Sequence, residues 1–251
     1  MIVFVTGASA GFGAAIVRRF VKEGHRAVAT GRRGERLAAL GQELGDAVHP
    51  LVLDVRDRAA VMKAFESLPA SFAEVDVLVN NAGLALGLES AQEANLDDWD
   101  RMVDTNVKGV LYCTRAALAG MVARERGHVI NIGSIAAQFP YAGGHVYGAT
   151  KAFVHQFGLS VRADLLGTAV RLTDVQPGMA AGTEFSDVRF KGDHGRARQV
   201  YQGAEPLTAD DIADCVYWAA TRPAHVNVNT IQVMPVCQAP SRTAIHRKEK
   251  P

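Results

Sequence analysis

A chain of 251 residues is long enough to bury a large core without disulfides or metals, and its 48% apolar and 21% charged residues suit an ordered globular protein. Its 27 Lys and Arg offset 26 Asp and Glu, and a net charge of +1 provides no field to steer nucleic acid or an anionic membrane. Cys113, Cys215 and Cys237 are too widely spaced for a disulfide framework or a zinc site, which fits a reducing cytoplasm, and no run approaches the roughly 18 apolar residues of a membrane span.

The first strand candidate, Ile2 to Thr6, begins at once, so no signal peptide is expected. A helix from Gly13 to Glu23 follows, with Val17, Phe20 and Val21 at helical spacing. Strand Arg26 to Gly31, helix Arg33 to Leu44, strand Val48 to Val52, helix Asp57 to Leu68 and strand Val75 to Asn80 continue the alternation. Then come helix Leu96 to Ala123, strand His128 to Ser134, helix Val146 to Leu166, strand Val170 to Asp174, helix Thr208 to Thr221 and strand Thr230 to Val233. Consecutive apolar positions in several strands are what a sheet covered on both faces requires. The order predicts an α/β fold: a Rossmann-type, doubly wound, seven-stranded parallel sheet with helices on both faces, one domain over residues 1–251. The segment from Pro177 to Pro206 lacks periodicity until a short helix near Gly195 to Gln202, and a long irregular stretch in a compact domain suggests a binding loop, about 178–206. A tail follows from about residue 236.

Between the first strand and helix lies Thr6-Gly7-Ala8-Ser9-Ala10-Gly11-Phe12-Gly13. Glycines there let backbone approach a pyrophosphate, and the helix N-terminus supplies N–H donors, so Gly7, Ser9, Gly11, Phe12 and Gly13 are candidate cofactor contacts. At the end of the second strand, where a carboxylate would bind a ribose 2′-hydroxyl, stand Gly31, Arg32 and Arg33. Two guanidiniums instead of an acid suit a 2′-phosphate and favour NADP(H) over NAD, with Ser9 adding a hydroxyl. Asp54 sits either to accept from an adenine amino group or to cap a helix from Arg56 to Leu68.

Tyr147 and Lys151 are four apart, stacked on one helical face, and an ammonium beside a phenol favours phenolate. Ser134 lies thirteen residues upstream at the C-terminal end of a parallel strand, where ligands bind in such sheets. With Asn80-Asn81-Ala82-Gly83, Asn106 and Pro177-Gly178, these motifs resemble the short-chain dehydrogenase/reductase family in order and spacing. The resemblance implies Tyr147 as general acid and base, Ser134 holding the reacting oxygen, and Lys151 holding the nicotinamide ribose while lowering the Tyr147 pKa. It also implies that Asn106 interrupts its long helix and holds a relay water. Asn80 to Gly83 would floor the adenine ribose, with Asn80, Ala82 and Gly83 as cofactor contacts, Pro177 and Gly178 would belong to the cofactor site, and Thr183 would meet the nicotinamide carboxamide.

Tyr141-Ala142-Gly143-Gly144, the run Gly182 to Ser186, the run Val188 to Asp193 and Pro223 to Asn227 are similar to bacterial NADP-dependent 3-hydroxy acid dehydrogenases. That likeness implies a small-molecule substrate of the L-serine, L-allo-threonine or 3-hydroxypropionate type, reduction of malonic semialdehyde in reverse, and a homotetramer. A hydroxy acid needs a cation for its carboxylate; Arg189 or Lys191 would serve if either is not a surface ion pair, and Arg247 in the tail is a further candidate. Met179-Ala180-Ala181 and His145 depart from the subgroup beside the expected pocket, leaving open a reductase of another ketone or aldehyde. A catalytically silent NADP-binding protein is the alternative of a different class. The histidines show no metal-binding spacing, so no metal is expected, and neither nucleic acid nor membrane is an expected partner.

Overall fold

The apolar runs become seven strands: β1 (Ile2–Val5), β2 (Arg26–Gly31), β3 (Val48–Val52), β4 (Val77–Asn80), β5 (Gly127–Ile132), β6 (Val170–Pro177) and β7 (Thr230–Val233). They are seen in a computed structural model that describes residues 1–240. Every pairing is parallel, in the order β3-β2-β1-β4-β5-β6-β7. The order reverses between β1 and β4, so successive crossovers leave in opposite directions there and open a crevice at the C-terminal ends of the strands.

The connecting helices are α1 (Gly11–Lys22), α2 (Gly34–Leu44), α3 (Arg58–Glu66), α4 (Leu96–Val103), α5 (Gly109–Ala123), α6 (His145–Asp164), α7 (Phe185–Arg189), α8 (His194–Gln199) and α9 (Ala209–Ala220). Alternation along each strand sorts the core into two layers. Val3, Val5, Val77 and Val79 meet Val17 and Phe20 of α1 and Val216 of α9. Phe4 and Leu78 point the other way, toward Val61 of α3 and Cys113 and Met121 of α5. Each fully buried side chain of this size contributes about 1.5–3 kcal/mol of transfer free energy, so both faces of the sheet are committed to core.

The helix anticipated over 96–123 is broken by a wide π turn at Asp104–Lys108 that carries Asn106, the residue at which the family resemblance implied an interruption. The stretch after Pro177 holds two short helices, α7 and α8. Asp193 caps α8 by accepting from Arg196 N at 3.0 Å, and Ser186 and Tyr201 share a 2.7 Å hydrogen bond. Local capping and one buried hydroxyl pair thus order a segment that lacks a hydrophobic period.

One core group makes the fold sensitive to acid. His128 on β5 is buried, its Nε2 lies 2.7 Å from Thr173 Oγ1, and that hydroxyl donates onward to Val228 O at 2.6 Å. The threonine proton is therefore spent, His128 Nε2 must donate, and Nδ1 is an unprotonated nitrogen with no partner among the described residues. Burial, with help from Arg171, pushes the His128 pKa down to about 3 from 6.5. In that window the unfolded chain binds a proton that the native state refuses, so stability falls as pH drops. Wild type is predicted to lose about 1.5 kcal/mol more than His128→Asn between about pH 6.5 and about pH 5. Urea unfolding at both pH values checks this; equal losses in the two proteins would contradict it.

Candidate active site

The crevice is a cleft of about 960 Å³ running from the loop after β1 to the segment carrying α7. Its cofactor end is built for close approach. Gly7 has a φ of +69°, and a methyl on Gly13 would lie 2.4 Å from Gly7 O. Helix α1 starts without a capping side chain or an acid in its first turn, leaving its N–H groups and positive end for an anion. Ser9, Gly11, Phe12, Ala82 and Gly83 line the same wall.

A side-chain clasp holds this loop. Thr6 Oγ1 accepts from Asn81 N and Ala82 N, each at 2.9 Å, while Asn81 Nδ2 donates to Thr6 O at 2.8 Å. Asn81, not Asn80, is the asparagine on the cleft. Asn80 is turned inward and donates to Thr114 Oγ1 and Asn131 Oδ1 at 2.9 Å, because strand alternation sends it between α5 and β5. Asp54 borders the cleft and accepts from the Arg56 guanidinium, which holds its carboxyl below the usual range. It caps no helix: α3 starts later, and its cap is Asp57, which accepts from Ala60 N at 3.0 Å.

Arg32 and Arg33 converge with Ser9 at the rim. Arg33 donates to Ser9 Oγ at 3.0 and 3.1 Å and to Glu184 Oε2 at 2.6 Å, whereas Arg32 makes no side-chain hydrogen bond among the described residues. Two guanidiniums, a hydroxyl and an uncapped helix start fit a dinucleotide bearing an extra phosphate. Pro177 and Gly178 line the far wall, and Thr183 packs on the glycine loop, with a methyl on Gly11 falling 3.2 Å from its Cβ.

The structure brings Ser134, Tyr147 and Lys151 together, with Asn106 behind them. Tyr147, on the first turn of α6, and Ser134, just past β5, line the cleft, and Lys151 Nζ donates to Ile132 O at 2.7 Å. Asn106 Oδ1 accepts from Leu84 N at 2.9 Å, and its Nδ2 donates to Leu84 O at 2.8 Å and Thr150 Oγ1 at 3.0 Å. Both Asn106 and Lys151 reach Gly83, where a methyl would lie 3.3 Å from Asn106 Oδ1 and 3.5 Å from Lys151 Nζ. Burial pushes the Tyr147 phenol up to about 12, opposed by hydrogen bonding to Ser134 and the charge of Arg189. Burial also lowers Lys151 to about 8.

The two loop cations part company. Arg189 stands in the cleft with its guanidinium 5.3 Å from the Tyr147 ring centroid, 5.1 Å from Phe185 and 5.5 Å from Tyr141. Its Nε is buried without a hydrogen-bond partner among the described residues. Lys191 is instead tied to Asp98 at 2.7 Å, and its left-handed backbone, φ +52°, aims it away from the cleft lining. The carboxylate-binding expectation therefore fails for Lys191. Arg247 lies outside the described residues. His145 packs its ring 5.1 Å from Trp99 and does not border the cleft, whereas Met179 does.

Sequence reasoning gave no role to Glu184, Phe185 or Tyr141, and it did not separate Asn81 from Asn80. Asn81 was visible in the Asn-Asn pair, but only strand register decides which asparagine faces out. Among the described residues no group of acids, histidines and cysteines is placed to hold a metal. Gly13→Ala is predicted to weaken dinucleotide binding at least about 100-fold, since the methyl must push the cradle backbone aside. Titration of the protein with NADPH by fluorescence checks this; near-normal affinity would contradict the cradle.

Comparison with known proteins agrees with this geometry. The short chain dehydrogenase family profile matches residues 1–193. The NADP-dependent 3-hydroxy acid dehydrogenase YdfG of Salmonella typhi is 60% identical over 247 residues, covering 98% of this chain and 100% of that protein. A serine 3-dehydrogenase of Agrobacterium fabrum is 48% identical over 246 residues, covering 98% of each. A solved closed form of serine dehydrogenase complexed with NADP+ superposes with a TM-score of 0.98 at 58% identity, covering 99% of this chain and 100% of that one. The chain belongs to the short-chain dehydrogenase family.

Proposed function

We propose that this NADP-dependent dehydrogenase oxidises the hydroxyl of small 3-hydroxy acids of the L-serine, L-allo-threonine and 3-hydroxypropionate type, and reduces the corresponding semialdehydes or 3-oxo acids. The carrying observation is the Arg189 guanidinium, held in the cleft 5.3 Å from the Tyr147 ring and steadied by donating through Nη2 to the Tyr141 hydroxyl. A carboxylate on Arg189 would bring a carbinol a few atoms away to the Tyr147 hydroxyl. The 3-hydroxy acid dehydrogenase and serine 3-dehydrogenase relatives support the same substrate class.

The bound NADP would exchange a hydride with the carbinol carbon. Tyr147 handles the proton: its phenol gives a proton to the carbonyl oxygen in reduction, and as phenolate takes the hydroxyl proton in oxidation. Ser134 holds the reacting oxygen. Lys151 orients the nicotinamide ribose, and Asn106 keeps Leu84 and Thr150 fixed beside it. A phenol raised to about 12 is protonated at neutral pH, the form needed for reduction, so oxidation should speed up as pH rises until Lys151 gives up its proton. We also propose a homotetramer, supported by exposed apolar side chains such as Val122 on α5 and Phe153 and Leu159 on α6. Among the described residues no helix is long and apolar enough to cross a membrane.

Tyr147→Phe is predicted to lower kcat for hydroxy acid oxidation by at least about 1,000-fold while NADPH still binds. Stopped-flow turnover and a binding titration check both halves, and substantial turnover would refute the proton role. Arg189→Met is predicted to raise KM for a 3-hydroxy acid about 100-fold with little effect on an uncharged alcohol. Equal effects on both substrates in steady-state assays would refute the clamp and point to general packing damage.

A further inference from the structure

Two buried charges flank one peptide unit just past β5. Lys151 is 6% exposed and Asp174, on β6, is 2% exposed. Lys151 Nζ donates to the carbonyl of Ile132 at 2.7 Å. The next residue, Gly133, lies so close to Asp174 that a methyl there would be 2.3 Å from Oδ1. That Oδ1 has no hydrogen-bond partner among the described residues, while Oδ2 accepts from Gln176 Nε2 at 2.8 Å and meets His155 Nδ1 at 2.8 Å. Among the described residues Lys151 joins no salt bridge, and Asp174 has only His155, whose side chain is 24% exposed and borders a small surface cleft with Arg162 and Asn229.

A buried ammonium and a buried carboxylate are each costly alone, and with both inside the protein on either side of one peptide unit their attraction is weakly screened. We propose that Asp174 is a positioning residue whose carboxylate, acting across the Ile132–Gly133 peptide, keeps Lys151 in its ammonium form, with His155 and Gln176 fixing that carboxylate in place. This rests on the reading of Lys151 as part of the reaction centre. The direction of the electrostatics agrees: burial lowers Lys151 and Asp174 raises it. The other groups facing Lys151 carry no competing negative charge at neutral pH. Tyr147 on its own helix is a phenol, Asn106 on the π turn and Gly83 after β4 are neutral, and Arg189 of α7 stands on the Tyr147 ring. Facing Asp174 are His155 from α6, Gln176 from β6, the main chain of Asn229 before β7 and, across the small surface cleft that Asp174 also lines, Arg162 from α6.

The test is the pH profile of kcat/KM for NADP-linked L-serine oxidation in wild type, Asp174→Asn, His155→Gln and Tyr147→Phe. With the carboxylate neutralised, Lys151 gives up its proton more readily, so the alkaline limb of Asp174→Asn should move down by about one pH unit. His155→Gln keeps a donor for the carboxylate and its charge, so that limb should stay in place. A uniform rate loss at every pH in Asp174→Asn, an unmoved alkaline limb, or the same shift in both variants would overturn the proposal, since a merely structural role predicts no such split. If the asparagine variant fails to fold, Asp174→Ser, with room for a water, provides the same comparison. Wild-type turnover by Tyr147→Phe would sink the underlying reading instead; an inactive Tyr147→Phe with an unmoved Asp174→Asn limb would sink this inference alone.

Discussion

Seating the ammonium of Lys151 inside protein is the constraint around which this active site is arranged. An ammonium out of water needs acceptors and opposite charge, and these must come from elements that never meet in sequence. Ile132 supplies a carbonyl from the end of β5, Gly83 lets the Asn106 amide come close beside it, and Asp174 supplies charge from β6. Only a sheet whose strands end together can assemble them, and the reversal between β1 and β4 opens the crevice beside them. The π turn follows the same logic. Widening the helix by one residue at Asp104–Lys108 lets Asn106 satisfy both backbone groups of Leu84, so the loop after β4 is pinned beside Lys151.

The segment from Thr183 to Arg189 joins the two halves of the cleft. Thr183 packs on the glycine loop, Glu184 bridges Arg33 and Arg36, Phe185 packs edge-on with its ring centroid 5.5 Å from that of Tyr147, and Arg189 covers the same tyrosine. The Glu184 ion pairs are exposed and contribute about 0–1 kcal/mol each. Aromatic packing and the partly desolvated guanidinium therefore hold the segment more than its visible salt bridges do. The segment thus touches both the rim that carries Arg33 and the ring of Tyr147.

Much of this was legible in the chain because it is local. The strands are consecutive apolar runs, the cradle is a glycine cluster between strand and helix, and Tyr147 with Lys151 is a four-residue spacing on one helix. The remainder depends on register and long-range packing. Asn80 and Asn81 are indistinguishable as letters, yet pleating buries one and exposes the other. Arg189 and Lys191 are both cations on one loop, yet the positive φ of Lys191 and Asp98 on α4 take it out of the site. The π turn left no periodic trace, since a single widened turn shifts the helical phase without breaking the apolar pattern. The Asp174 network was invisible because its members come from α6 and β6 and only Gly133 brings it to the reaction centre.

The claim that a guanidinium selects the substrate by its carboxylate is tested most directly without altering the protein. NADP reduction would be followed by absorbance with 3-hydroxypropionate and with its methyl ester, which keeps the carbinol and removes the charge. The acid is expected to show kcat/KM about 100-fold higher than the ester, the size of one charge-assisted pair. An ester turned over as well as the acid, or better, would contradict it and leave a dehydrogenase whose cleft reads shape rather than charge.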